Sequence, residues 1–218
     1  MKKFIAIVAI MLPLVAFAKE EKAETAPVPA TESSVRMAAE LSKYGYANKD
    51  ALSLIQAARI AKQLGLQAAE VEKTTEGGAD DQGTKSGQVS LDPAKLLSDA
   101  KAMAAEDGVL LALIDDVNTN VRGATGGSRY NRTSVRAHGT DEYNIRFNAN
   151  STAIVTAIGD GDTDLDLYVY DENGNLIDSD TDYTDNCVCT FNPRWTGYFK
   201  IRVVNRGGVY NNYVLRTN

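Results

Sequence analysis

From Asp160 to Asp185 the chain carries ten carboxylates (Asp160, Asp162, Asp164, Asp166, Asp171, Glu172, Asp178, Asp180, Asp182 and Asp185) and no Lys or Arg. A run of like charge normally stays solvated and unfolded, but this one is patterned. Asp164-Leu-Asp-Leu-Tyr-Val-Tyr-Asp171 alternates apolar and polar residues with the period of a half-buried strand, and the turn sequence Glu172-Asn-Gly-Asn175 follows. The acids therefore belong to a folded hairpin. A turn centred on Asn173 sets Asp166 opposite Asp180 and Asp164 opposite Asp182, with all four on the face away from Leu165, Leu167 and Val169. Like charges facing each other destabilise a sheet, and a divalent cation would turn that repulsion into ligation. Oxygen donors without histidine suit calcium, so Asp160, Asp162, Asp164, Asp166, Asp180 and Asp182 are the expected metal ligands. The plainer reading is that these aspartates solvate loops and discourage edge-to-edge strand pairing.

The N-terminus places the protein outside the cytoplasm. Met1-Lys-Lys-Phe precedes an apolar run from Ile5 to Phe17 that ends in Ala16-Phe-Ala18, the pattern of a secretory signal peptide over residues 1–18. The run is short for a bilayer span and contains Pro13, so no membrane span is expected after cleavage. Loss of Lys2 and Lys3 leaves 21 basic against 29 acidic side chains, a net charge of −8. Nucleic acid is an unsuitable partner for such a chain.

Residues 19–31 hold two prolines and no apolar period, and read as a linker. Residues 32–118 have helical texture. Val35, Met37, Ala38, Leu41 and Tyr44 fall at helical spacing, with Gly45 suited to a helix end. A second helix is expected from Lys49 to Leu64, and a third from the Asp92-Pro93 pair, which joins an N-cap carboxylate to a first-turn proline. One more short helix spans Val109 to Val117. Residues 73–90, with Glu-Gly-Gly-Ala-Asp-Asp-Gln-Gly and few apolar groups, read as a mobile loop.

Beyond residue 118 the texture changes to short runs rich in Val, Ile, Tyr, Phe and Thr separated by Gly, Asn and Asp. Candidate strands are 134–138, 142–147, 152–158, 164–170, 176–179, 187–191, 197–204 and 209–216, enough for a sandwich or jelly roll. In Tyr198-Phe-Lys-Ile-Arg-Val203 the residues Phe199, Ile201 and Val203 point to the core while Lys200 and Arg202 face water. Trp195 and the tyrosines are read as core or rim. The fold class is α+β: a small N-terminal helical segment, then an antiparallel, jelly-roll-like β-sandwich over 119–218.

Residues 130–218 resemble the bacterial pre-peptidase C-terminal domain. The resemblance rests on Gly139-Thr-Asp-Glu-Tyr-Asn-Ile145, on Asp164 to Asp171 with Gly174 in the turn, on Gly197-Tyr-Phe-Lys-Ile-Arg-Val203 and on Tyr210-Asn-Asn-Tyr-Val-Leu215. It implies a secreted, non-catalytic β-sandwich that serves secretion or substrate binding, with calcium bound by some related modules. Here residues 32–118, patterned for helices, stand where a peptidase would.

Catalysis has few candidates. His138 is the only histidine, and Arg136-Ala-His-Gly139 does not resemble a nucleophile elbow or its partner. Paired carboxylates in the acidic hairpin could hydrolyse glycosides, which keeps a hydrolase or hydrolase accessory subunit as the alternative. Cys187 and Cys189 face one side of a strand with Cα atoms about 6.5–7 Å apart, at the limit for a disulfide. A local disulfide and two thiols both remain open. The leading expectation is an exported binding or accessory protein, secreted or periplasmic, whose calcium-supported sandwich contacts an extracellular polymer, protein or envelope component.

Overall fold

The computed structural model describes residues 30–120 and 129–218. The expected signal peptide and nearly all of the expected linker lie outside them. Among the described residues no helix is long and apolar enough to cross a membrane.

Four helices, α1 (Ala30–Asn48), α2 (Ala51–Gln63), α3 (Pro93–Ala104) and α4 (Gly108–Asn120), precede most of the strands, with two short strands between α2 and α3. The helix expected to stop at Gly45 runs on to Asn48, and it starts at Ala30, inside the stretch expected as linker. Gly45 is a contact glycine. A Cβ there would lie 2.5 Å from Leu54 Cδ2, so its absence lets α1 and α2 approach closely. The Asp92-Pro93 start forms as expected, with the Asp92 carboxylate accepting from Ala94 N at 2.9 Å. Asp107 caps α4 in the same way, accepting from Val109 N at 2.9 Å.

Among the described residues ten strands form two sheets. The first, in the order β1-β3-β10-β5-β8, comprises β1 (Gln67–Ala68), β3 (Arg129–Val135), β10 (Asn211–Thr217), β5 (Ala153–Ile158) and β8 (Asn186–Phe191). The second, in the order β2-β4-β9-β6-β7, comprises β2 (Thr74–Ala79), β4 (Ala137–Phe147), β9 (Gly197–Asn205), β6 (Leu165–Tyr170) and β7 (Leu176–Asp180). All pairings are antiparallel apart from the two-residue β1. Strand β3 pairs with β10, β4 with β9, β5 with β8 and β6 with β7. The chain is one long antiparallel ribbon wound over itself, a jelly roll whose innermost turn is the β6–β7 hairpin.

Between the sheets lies an apolar core that includes Leu165, Leu167, Val169, Phe199, Ile201 and Val203. Rings of Phe147, Phe191 and Phe199 close one end, with centroids 5.1–5.9 Å apart. Val35, Ala38, Ala39 and Ala61 of the helices share a second core with Tyr130, Ile158 and Val214, which point outward from the first sheet. Strand β5 is consequently buried along its whole length, one face in the sandwich and the other under α1. Glu32 of α1, fully buried, accepts from Thr156 Oγ1 at 2.9 Å and pairs with the Arg216 guanidinium.

Residues 73–90, expected as a mobile loop, form β2 and a strap along the sandwich. Asp141, fully buried, accepts from Lys73 Nζ at 2.5 Å, Thr75 Oγ1 at 2.6 Å and Tyr213 Oη at 2.7 Å, tying β2 to both sheets. Beyond β2, Tyr210 N donates to Asp81 at 2.8 Å, and Val89 and Leu91 enter the helix–sheet core. Few apolar side chains were needed, because backbone and charged groups make most of these contacts. The packing thus crosses the division expected near residue 118, with β1 and β2 supplied from the helical side of it.

Candidate functional site

The acidic hairpin is neutralised from distant parts of the chain. Asp160 and Asp162 lie in the β5–β6 connection, where the Lys85 ammonium from the strap sits between them, bonded to Asp160 and 2.7 Å from Asp162. Asp160 also accepts from Asn212 N and Nδ2, each at 2.9 Å. Asp162 accepts from Gly87 N at 2.8 Å and Ser86 N at 3.0 Å. Burial works to raise the Asp162 carboxyl, but Lys85 and these amides overcome it and hold the group at about 2. Asp166, almost fully buried, accepts from Arg206 Nε at 2.6 Å and from Tyr168 Oη at 3.0 Å. Lys43 of α1 reaches Asp185 at 3.2 Å.

The hairpin register differs from the expected one by a single residue. Leu167 pairs with Asp180 and Val169 with Asp178, while Tyr170 pairs with Leu176, so Ile177 is an extra residue at a bulge. Asp178 and Asp180 are thereby turned to the core side, away from Asp166. Each reaches the edge of the other sheet: Asp180 accepts from Val188 N at 2.9 Å and Asp178 from Thr190 N at 2.8 Å. Asp182 lies beyond β7 and accepts from Thr184 N at 2.9 Å and Thr184 Oγ1 at 2.7 Å. At the turn, Asp171 accepts from Asn173 N at 2.9 Å, Asn175 N at 2.8 Å and Asn175 Nδ2 at 2.8 Å, and Gly174 takes φ +82°.

Asp164 is the exception. Its Oδ1 is buried without a hydrogen-bond partner, and burial followed by the charges of Asp166 and Asp182 raises its carboxyl. It lines an open depression with Asp162, Tyr183, Thr184 and Asp185. The expected convergence of Asp164, Asp166, Asp180 and Asp182 therefore does not occur. The set of six does not fit a calcium site: Lys85 and Arg206 already balance Asp160, Asp162 and Asp166, and Asp180 is bound to backbone on β8. Among the described residues no three carboxylate, histidine or cysteine groups are arranged to hold a metal ion.

The outer face of the second sheet carries what the sequence reading did not single out. The tyrosines divide. Tyr143 and Tyr213 are buried and hydrogen-bonded to each other, whereas Tyr168, Tyr170 and Tyr198 point outward. The rings of Tyr168 and Tyr170 stack at 6.3 Å, and Tyr198 is 61% exposed. Register places a cation beside each: Arg202 pairs with Tyr168, Lys200 with Tyr170 and Arg146 with Tyr198. Lys200 contacts Glu142 at 2.9 Å, while Arg146 has no acidic partner among the described residues. Each of these strands alternates, so a cation and a tyrosine recur on the wet face. The alternation was legible, but the neighbours across strands were not.

Trp195 lies at the rim, stacked on Phe199 at 6.1 Å and donating from Nε1 to Glu172 at 2.9 Å. His138 is exposed near the start of β4, at φ +51°. Cys187 and Cys189 are buried thiols, and Cys187 Sγ donates to Leu165 O of the facing sheet at 2.9 Å. Burial, reinforced by nearby aspartates, pushes both thiols well above the usual range.

No protein-family model and no curated protein matches the chain. Among solved structures it is similar to the pre-peptidase C-terminal domain of a Bacillus anthracis collagenase, with 12% identity over 42% of this chain and 89% of that one, at a TM-score of 0.37. It is also similar to PliG of Aeromonas hydrophila, a periplasmic inhibitor of g-type lysozyme: 17% identity, 45% of this chain and 91% of that one, TM-score 0.34. A carbohydrate-binding module of Cellvibrio mixtus lichenase 5A gives 11% identity, 44% and 88% coverage, and a TM-score of 0.28. Likenesses this distant carry no assignment of function.

Proposed function

We propose that this chain is an exported, non-enzymatic binding protein, secreted or periplasmic, that contacts an extracellular polymer or envelope component through the outer face of its second sheet. The observation that carries this reading is the unequal treatment of the two sheets. The helices roof the first sheet with an apolar layer, while the second presents three outward tyrosines with a cation beside each. Exposed aromatic rings interleaved with charge are common at binding surfaces, where they give contact area with little loss of side-chain entropy.

Co-sedimentation of the full chain with isolated bacterial cell envelope tests it. Capture is expected, and Tyr198→Ala should abolish it while leaving the melting temperature unchanged. Capture that is indifferent to Tyr198 overturns the assignment of this face. Hydrolysis by paired acids needs a carboxyl free to move a proton. Asp164 is the member of the hairpin with an unpartnered buried oxygen, so release of reducing sugar that is lost on Asp164→Asn would replace binding by catalysis.

A further inference from the structure

The spacing of groups on the same face points to the chemical class of its occupant, an inference that rests on the reading above. Three successive outward rungs of the second sheet each carry one tyrosine and one cation: Tyr168 with Arg202, Tyr170 with Lys200, and Tyr198 with Arg146. Outward positions on a strand recur every second residue, about 6.6–6.8 Å apart, and strands lie about 4.8 Å apart. The face therefore sets a cation beside a ring on three rungs, the third displaced by one strand: Tyr168 and Tyr170 lie on β6 with their cations on β9, and Tyr198 lies on β9 with Arg146 on β4.

We infer that this face binds a polysaccharide bearing a carboxylate on successive sugar units. A pyranose ring presents a flat C–H surface to an aromatic side chain, and in a uronic acid the carboxylate projects from the rim of that ring toward a neighbouring cation. One repeating unit thus supplies both groups that each rung asks for. Charge balance favours this class over denser polyanions. The chain as a whole has a net charge of −6, yet this face gathers Arg146, Lys200, Arg202 and Arg206 against Glu142, Glu76 and Asp166. With Asp164 beside Asp166 and Arg206 these charges balance, and among the described residues Arg146 is the cation of this face left without an acid; one such cation suits spaced carboxylates, whereas the contiguous phosphates of a nucleic acid strand would meet repulsion from the surrounding surface. Arg146 is the cation best placed to act, because it is exposed and has no acidic partner to give up among the described residues.

Affinity electrophoresis of the full chain in gels containing polygalacturonate, hydroxyethylcellulose or a single-stranded oligonucleotide tests the class. Polygalacturonate is expected to retard the protein most, and the effect should weaken as salt rises, because the cations are exposed. Arg146→Gln and Tyr198→Ala should each weaken retardation by about tenfold. Both sites are on the surface, so unchanged melting of the variants confirms that the fold is intact. Equal retardation by the neutral glucan, with Arg146→Gln silent and Tyr198→Ala still weak, overturns the acidic class and leaves the binding face standing. Tighter binding of the oligonucleotide overturns the polysaccharide. Retardation by polygalacturonate that neither substitution changes overturns the face and the ligand class together. Failure of all three polymers overturns the class alone if Tyr198→Ala still abolishes envelope capture.

Discussion

Lys85 serves two carboxylates, and one of them, Asp160, has a side chain with no solvent exposure. Replacing Lys85 by Met would leave that charge buried without its cation, a change that costs about 3–5 kcal/mol where a buried pair is broken on one side. The expected loss is read from the midpoint and slope of urea unfolding. Asp162 gives the same contact a pH signature. Its folded value of about 2 lies below the unfolded value of 3.8, so the stabilisation is complete above about pH 4 and is lost as pH falls toward 2. Asp164 has the opposite sign. Its carboxyl is raised by burial and by Asp166 and Asp182, so ionised Asp164 destabilises the fold at neutral pH, and protonation relieves this as pH falls. Asp164→Asn is therefore expected to raise the neutral-pH melting temperature by about 2 °C, with the gain disappearing in acid. Wild-type melting should be the same in excess calcium and in excess chelator. A calcium-dependent rise that Asp164→Asn removes would restore a cation to this end of the hairpin.

A jelly roll leaves two strand edges at each side, and at one side the edges are β7 and β8. There Asp178 and Asp180 occupy the outward-directed N–H groups of Thr190 and Val188, which would otherwise be open to another strand. Removing both carboxylates, as Asp178→Ala with Asp180→Ala, should cost about 0.5–1.5 kcal/mol for each hydrogen bond lost and cause concentration-dependent association, measured by light scattering. Much at this scale was legible in the sequence. Alternation located the last seven strands of the roll in order and the Asp92-Pro93 signal located α3, but the expected strand 134–138 straddles Arg136, where β3 ends and β4 begins, and most of β3 was missed. The hairpin register was not legible, because adjacent Leu176 and Ile177 are both apolar and both exposed, at 54% and 41%, and nothing in their chemistry marks which is the extra residue. One residue of slip moved Asp180 from the presumed cation site to the edge of β8. The cysteine pair was legible in part: the two do face the same way, but whether they were joined depended on the opposite sheet, whose carbonyls accept their S–H groups. Alkylation by iodoacetamide is expected only after denaturation, since neither thiol is accessible or ionised in the fold.

At the scale of the molecule, the helices and the sandwich share a core that their sequence textures do not reveal. Amphipathic periodicity shows that a helix has an apolar face; it does not say whether that face meets another helix or a sheet. The one sequence trace of the answer is Ala153-Ile-Val-Thr-Ala-Ile158, apolar at five of six positions where a half-wet strand would alternate, because both of its faces are covered. Thr156 and Arg216 are buried polar groups on the covered side, and Glu32 meets both. Burial lowers the Arg216 guanidinium and Glu32 counters it, so the pair marks the docked position of α1. Among the described residues no such roof covers the outer face of the second sheet, which is the asymmetry on which the binding proposal rests. A fragment of residues 129–218 would expose Tyr130, Ile154, Ile158 and Val214 together, place Arg216 without the Glu32 carboxylate, and lose β1 and β2 from the two sheets. Exposed apolar surface of that extent normally drives association. The fragment is expected to aggregate or to melt without a cooperative transition, whereas the full chain with Glu32→Gln should remain folded but lose about 3 kcal/mol in urea unfolding. Cooperative melting of residues 129–218 within a few degrees of the full chain would show that the sandwich stands alone and that the helices are appended to it, not built into its core.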